Sequence, residues 1–204
     1  MRLANGCAVR VLVVDESPER AEILRHGLRL AGYEVSASLT SPFTLLKTID
    51  EVRPDVIVVD TESPSREVLE HLVMVTQHTP RPVIMFATDG APETIREAVR
   101  AGVSAYVVDG LDASRVKTII DVAVARFEDL QRLRAELAEA NDKLEERKLV
   151  ERAKGLLMKT RGLSEDDAYH SLRKLAMSRK ERLGLVAQHV IDAAELLISA
   201  PPLN

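Results

Sequence analysis

The chain has 204 residues, 46% apolar and 29% charged, with a net charge of −4, which fits one or two folded domains and excludes a disordered or fibrous chain. Aromatic residues make up only 3% with no Trp, which argues against a sheet that stacks RNA bases on aromatic rings. A single cysteine, Cys7, leaves no internal disulfide, and no apolar run approaches the roughly 20 residues needed to span a bilayer, so a cytosolic protein with no membrane partner is expected.

In chain order, five short apolar runs alternate with amphipathic segments. VRVLVV (9–14), YEVSAS (33–38), DVIVVD (55–60), PVIMFA (82–87) and SAYVVD (104–109) read as strands. Several are β-branched on both faces, the pattern of a parallel sheet covered by helices. Between them lie helical patterns: Ile23, Leu24, Leu28 and Ala31, stopped at Gly32; Phe43 to Val52, stopped before Pro54; Val68, Leu69, Leu72 and Val75; and Ile95, Ala98 and Val99, stopped at Gly102. Five βα units predict an α/β doubly wound fold with its site at the carboxyl ends of the strands. Asp15 and Glu16 follow the first strand and Asp60 ends the third. Three carboxylates at one crevice suit a hard cation such as Mg²⁺, which would activate one Asp as a phosphoryl acceptor; as turn formers or helix caps they would do neither.

Residues 9–120 resemble a response-regulator receiver domain, with VVDES as the acidic turn and DVIVVD as the acceptor strand ending at Asp60. The resemblance implies a Thr or Ser at the end of the fourth strand, where this chain has Ala87, with Thr88 one residue later. It also implies a Lys at the end of the fifth strand, where this chain has Asp109 followed by Gly110. A Lys there would neutralise an acyl phosphate, whereas Asp109 adds repulsion. Signalling through a bound protein, rather than through phosphorylation of Asp60, is therefore expected.

From Asp112 to Leu149 there is neither Gly nor Pro, which predicts one long helix. Leu130, Leu133, Leu137, Ala140 and Leu144 alternate at spacings of three and four, an a/d seam that Arg147 ends. Such a seam suits a coiled-coil homodimer or, over so short a run, a helix folded against its own chain. The expected division is a receiver-like domain over 1–120, a coiled-coil connector over 121–147 and a helical domain over 148–204.

Charge singles out that last part. Residues 1–112 carry 11 Lys and Arg against 17 Asp and Glu, whereas residues 145–182 carry 11 against 7, and only the second segment has the balance of a polyanion binder. Three helices are predicted there: one ending at Gly162, one capped by Ser164 with Asp167, and one carrying the stripe Leu183, Val186, Ala187, Val190, Ile191, Ala194, Leu197 and Ile198. On the first, Leu149, Ala153, Leu156 and Leu157 form the apolar side, and Lys148, Arg152, Gly155 and Lys159 line a neighbouring face. Arg173, Lys174, Arg179 and Lys180 extend the positive surface, and Tyr169 lies one turn before Arg173, placed to support a splayed base. Glu145, Glu146 and Glu151 are near enough in sequence to turn part of this strip into ordinary salt bridges.

The run Ala153, Leu157-Met158, Gly162, Ser164, Ala168-Tyr169, Leu172-Arg173 and Ala176-Met177, continued by Leu183, Val186, Ala187 and Val190-Ile191, resembles the ANTAR module of transcription antitermination regulators. The overall layout is most similar to nitrate/nitrite-responsive antiterminators of the NasT type. That resemblance implies binding to paired hexaloop hairpins in a nascent leader transcript. It also implies control by a cytosolic nitrate/nitrite sensor of periplasmic-binding-protein type. A phosphorylation-driven regulator with DNA-binding output is the alternative, against which Ala87, Asp109 and the lack of a helix-turn-helix pattern all count. Enzymatic activity is not expected, since the chain has no phosphate-binding Gly loop and its five His show no metal spacing.

Overall fold

The computed structural model describes residues 8–108 and 113–199, with side chains from 115 to 196 in the second stretch. Cys7, Asp109 and Gly110 lie outside the described residues, and Leu197 and Ile198 lie outside the described side chains. The chain packs into two units, Met1–Gln131 and Arg132–Asn204.

The first unit is a five-stranded parallel sheet of β1 (Arg10–Asp15), β2 (Glu34–Leu39), β3 (Val56–Thr61), β4 (Val83–Ala87) and β5 (Ala105–Val108), in the order β2-β1-β3-β4-β5. The Val- and Ile-rich β1, β3 and β4 are almost wholly buried, as central strands covered on both faces must be, while β2 and β5 form half-buried edges. Alternate side chains feed two cores. Leu12, Val14, Ile57, Val59 and Met85 pack with Leu69, Leu72 and Ala98 on one face. Val11, Val13, Val58, Ile84 and Phe86 pack with Leu24, Leu28, Val116 and Ile120 on the other.

Helices α1 (Pro18–Leu30), α2 (Leu45–Val52), α3 (Arg66–His78) and α4 (Pro92–Arg100) connect the strands, and a 3-10 turn over Pro42–Thr44 leads into α2. Ser17 caps α1 by accepting from Arg20 N, with Pro18 preset for the first turn, and Ser65 caps α3 in the same way. The chain leaves α4 through Gly102 at φ +99°, where a Cβ would also meet Thr76 Cγ2 at 2.4 Å, so both backbone and packing require Gly. Two apolar residues expected inside are not: Ile23 and Val99 are 65% and 57% exposed. Each follows or precedes a buried neighbour, Leu24 or Ala98, by one position, a 100° turn that carries it off the buried stripe.

Helix α5 (Ala113–Arg161) is continuous for 49 residues, with no break at the expected connector boundaries of 121 and 147. Its carboxyl-terminal part packs with α6 (Glu165–Arg179) and α7 (Leu183–Ser199) in the second unit. Gly162 ends α5 at φ +64°, donating N–H to the Met158 carbonyl. Ser164 then starts α6: its hydroxyl accepts from Asp167 N at 3.1 Å and donates to Asp167 Oδ2 at 2.7 Å. Val150, Ala153, Leu172, Ala176, Val186, Ala187 and Ile191 form the buried core, and three of the seven are Ala, so the helices approach closely.

Candidate nucleic-acid interface and acidic cleft

Strand register builds the cleft of the first unit. Asp15 and Asp60 are direct partners across β1 and β3, so two carboxylates meet at the carboxyl edge of the sheet. A cleft of about 400 Å³ opens there, lined by Arg20, Ile23, Asp60, Glu62, Ala87 and Thr88 among others. Asp15 is 1% exposed; its Oδ1 accepts from Ser17 N at 2.8 Å, and its Oδ2 has no hydrogen-bond partner. Burial first, and then the neighbouring Asp15, push the Asp60 carboxyl up to about 6.

The charge between these carboxylates is Arg20, a residue that no sequence pattern singled out. Its guanidinium reaches Asp15 Oδ1 at 3.4 Å, Asp60 Oδ2 at 3.9 Å and Glu62 Oε1 at 3.2 Å. Burial alone would lower the Arg20 pKa, but the surrounding carboxylates outweigh it and hold the pKa above its ordinary value. A signal for Arg20 did exist: two paired carboxylates without a fifth-strand Lys require a replacement cation, and the first turn of α1 supplies one.

The expected trio around a cation is therefore not assembled. Asp15 and Asp60 converge, but Glu16 is exposed and does not line the cleft. Among the described residues no group of three His, Cys, Asp or Glu side chains is placed to hold a metal. As arranged, the donor set does not fit Mg²⁺, because a guanidinium already lies against both carboxylates that would bind it.

Ala87 is buried at the end of β4. Thr88 turns to the loop after β3, with its N–H and hydroxyl both donating to the Glu62 carbonyl, at 3.1 and 3.0 Å. Asp89 N donates to the same oxygen at 2.9 Å, while Tyr106 Oη donates to the Asp89 carbonyl at 2.7 Å. The Asp89 carboxylate accepts from Ala91 N, Ser63 Oγ and Thr94 Oγ1, which lower its pKa. The two loops bordering the cleft are thus tied together at the Glu62 carbonyl.

In the second unit the basic residues sort into two kinds. Lys148 and Arg152 are engaged with Glu145 at 2.8 Å and Glu195 at 2.6 Å. Lys154, which lies off the expected cationic strip, is 8% exposed and joins Glu151 to Glu165 at the start of α6. In contrast, Lys159, Arg161, Arg173, Lys174, Arg179 and Lys180 are exposed and make no ion pair among the described residues. Gly155 is exposed too, with nothing within 4 Å of where a Cβ would stand.

These free cations occupy two flanks of α6. Lys174 borders a groove of about 410 Å³ with Arg161, Ser171, Leu175 and Ser178. Arg173 lies on the other flank, one turn after Tyr169, which is 39% exposed and packs edge-on against His170. Arg173 and Lys174 project about 100° apart on the exposed side of α6, opposite the buried Leu172.

Along α5, Leu130, Leu133, Leu137 and Leu144 are 46–62% exposed and Ala140 is exposed as well. Among the described residues no helix is long and apolar enough to cross a membrane.

A parallel sheet in this order, with paired carboxylates at its edge, defines a receiver. Residues 11–121 match the response regulator receiver domain, more than half of the chain, and the chain belongs to that family. Residues 138–191 match the ANTAR domain, making it an ANTAR response regulator; that match begins inside the stretch expected to form the connector. The chain is 29% identical to the transcriptional regulatory protein PdtaR of Mycobacterium tuberculosis, over 90% of this chain and 89% of that protein. It is 36% identical to a nitrate regulatory protein of Klebsiella oxytoca over 39% of this chain, though only 20% of that protein. Among solved structures, the chemotaxis protein CheY4 of Vibrio cholerae matches with a TM-score of 0.51 and 27% identity, over 57% of this chain and 99% of that one.

Proposed function

We propose that this chain is an RNA-binding antitermination regulator that grips paired hexaloop hairpins in a leader transcript. The observation that carries the reading is the set of exposed, unpaired cations on an ANTAR unit, Lys159, Arg173, Lys174, Arg179 and Lys180. Each phosphate neutralised by such a cation releases counterions. Tyr169 beside Arg173 provides a face for an unstacked loop base, and Gly155 leaves room for backbone approach. Lys148 and Arg152 join this surface only by giving up their glutamates, so they rank below the unpaired set.

The exposed seam Leu130, Leu133, Leu137, Ala140 and Leu144 supports a coiled-coil homodimer, which would present two ANTAR units to two hairpins and raise avidity through effective concentration. The signal enters at the receiver unit through a protein partner. The name of the nitrate-regulatory relative supports a nitrate signal, and the resemblance to NasT-type antiterminators implies a sensor of periplasmic-binding-protein type for that role. Asp60 keeps the phosphorylation-driven alternative in view, because it lines an open cleft; Ala87 and the Arg20 contacts weigh against it.

The test is affinity for a tandem-hairpin RNA at fixed moderate salt. Lys159→Ala with Arg173→Ala should weaken binding and flatten its salt dependence by about one counterion for each phosphate left without its cation. Affinity within about twofold of the parent would remove this surface from the RNA site.

A further inference from the structure

Two carboxylates side by side at a sheet edge repel one another, and Asp15 cannot escape into solvent, because its side chain is 0% exposed. Receivers that use such a pair with a metal must leave space for an ion whose oxygen ligands lie at roughly 2.0–2.1 Å. In this chain the space is filled from within. Ser17 caps α1 while its own N–H holds Asp15 Oδ1, and Pro18 fixes the first turn, which delivers Arg20 over the sheet edge. The guanidinium then stands 3.4 Å from Asp15 and 3.9 Å from Asp60. Its third contact, 3.2 Å to Glu62, reaches the residue whose carbonyl also receives Thr88 and Asp89.

We propose that Arg20 is the resident cation of the acidic cleft: it lies against Asp15 and Asp60 in place of a divalent metal and keeps such an ion out. Three features carry this beyond a simple surface salt bridge. One carboxylate is fully buried, so its charge has to be met by the protein. A single guanidinium spans the ends of β1 and β3 and the loop after β3, so a metal entering between the carboxylates must displace all three contacts. Glu16, the one further carboxylate in the acidic turn, is exposed and outside the cleft, leaving an entering ion short of ligands. Asp15 Oδ2 has no hydrogen-bond partner, and Arg20 Nε, 3.9 Å from Asp60 Oδ2, donates no hydrogen bond, so the guanidinium fits the site incompletely. Removing Arg20 should therefore leave acceptors a metal can use.

Through Glu62 the same residue borders the switch loops. The loop after β4 is held to the Glu62 backbone, and the Glu62 side chain is held by Arg20. Arg20 thus links the paired carboxylates to the loops beside the cleft through Glu62.

The experiment is titration of the full-length chain with Mn²⁺, following the free-ion electron paramagnetic resonance signal. The parent chain should show no binding attributable to the cleft through about 1 mM, whereas Arg20→Met should bind one Mn²⁺ roughly tenfold more tightly or better. Adding Asp15→Asn to Arg20→Met should abolish the gain, which locates it at the cleft. Should Arg20→Met fail to fold by circular dichroism, Arg20→Gln keeps a polar side chain there and carries the same expectation. Millimolar Mn²⁺ binding by the parent that disappears with Asp60→Asn would overturn the proposal. So would folded Arg20 variants that bind no better than the parent.

Discussion

Replacing Asp60 with Asn should make the protein more stable at neutral pH, although it deletes an ion-pair partner of Arg20. In the folded chain, burial and the adjacent Asp15 raise the Asp60 carboxyl from its ordinary 3.8 to about 6, even with Arg20 pulling the other way. A folded-state value above the unfolded one means that folding favours the protonated form. The carboxyl therefore costs nothing below the unfolded value, and its cost grows as pH rises from about 4 to about 6. Above that window it is fully present. The interval from 3.8 to about 6 corresponds to roughly 2–3 kcal/mol, allowing for solvent at a side chain 17% exposed. Thermal unfolding of Asp60→Asn and parent at pH 7.5 should differ by about 5–10 °C in favour of Asn. The gap should close as the pH falls toward 4, and comparing the two proteins at each pH cancels every other carboxylate. An Asn variant that melts at or below the parent at pH 7.5, or a gap independent of pH, would refute the reasoning that Asp60 is held charged at a cost.

Other expectations follow from packing and the helix seam. Leu133→Lys with Leu137→Lys should convert a dimer to a monomer by light scattering, with RNA affinity dropping roughly 10²-fold as bivalency is lost. Leu172→Ala, at a site 1% exposed, should cost about 2–5 kcal/mol; early protease cleavage in the carboxyl-terminal unit would report it, while the receiver unit keeps its melting temperature. Gly102→Ala should lower the denaturant midpoint of the first unit by more than Gly32→Ala does. Both glycines have positive φ, but only the Cβ at 102 collides with Thr76, adding to about 1 kcal/mol of backbone strain.

The sequence carried the fold because its signals were local and periodic. The β-branched runs marked each strand to within a residue or so, and Gly102, Gly162 and Ser164 punctuated helices where expected. The failures share a physical origin: charge pairing depends on which elements lie side by side in space. Arg20 gave no periodic signal, and its role emerges only when β1 and β3 bring Asp15 and Asp60 into register. Glu16 adjoins Asp15 in sequence, but consecutive residues at a strand end point apart. Lys154 carries no sequence signal for its role, which depends on the start of α6 placing Glu165 2.7 Å away.

The proposed RNA reader, needing no phosphoryl group, is tested most directly by one binding measurement. Purified full-length protein is titrated, without any phosphodonor and at fixed moderate salt, into an RNA with tandem hexaloop hairpins and into duplex DNA of similar length. The protein should bind the RNA tightly, lose that binding when the loop sequences are scrambled, and bind the DNA only weakly and in a salt-sensitive way. Equal weak binding to both, or selectivity that appears only after treatment with acetyl phosphate, would contradict the proposal.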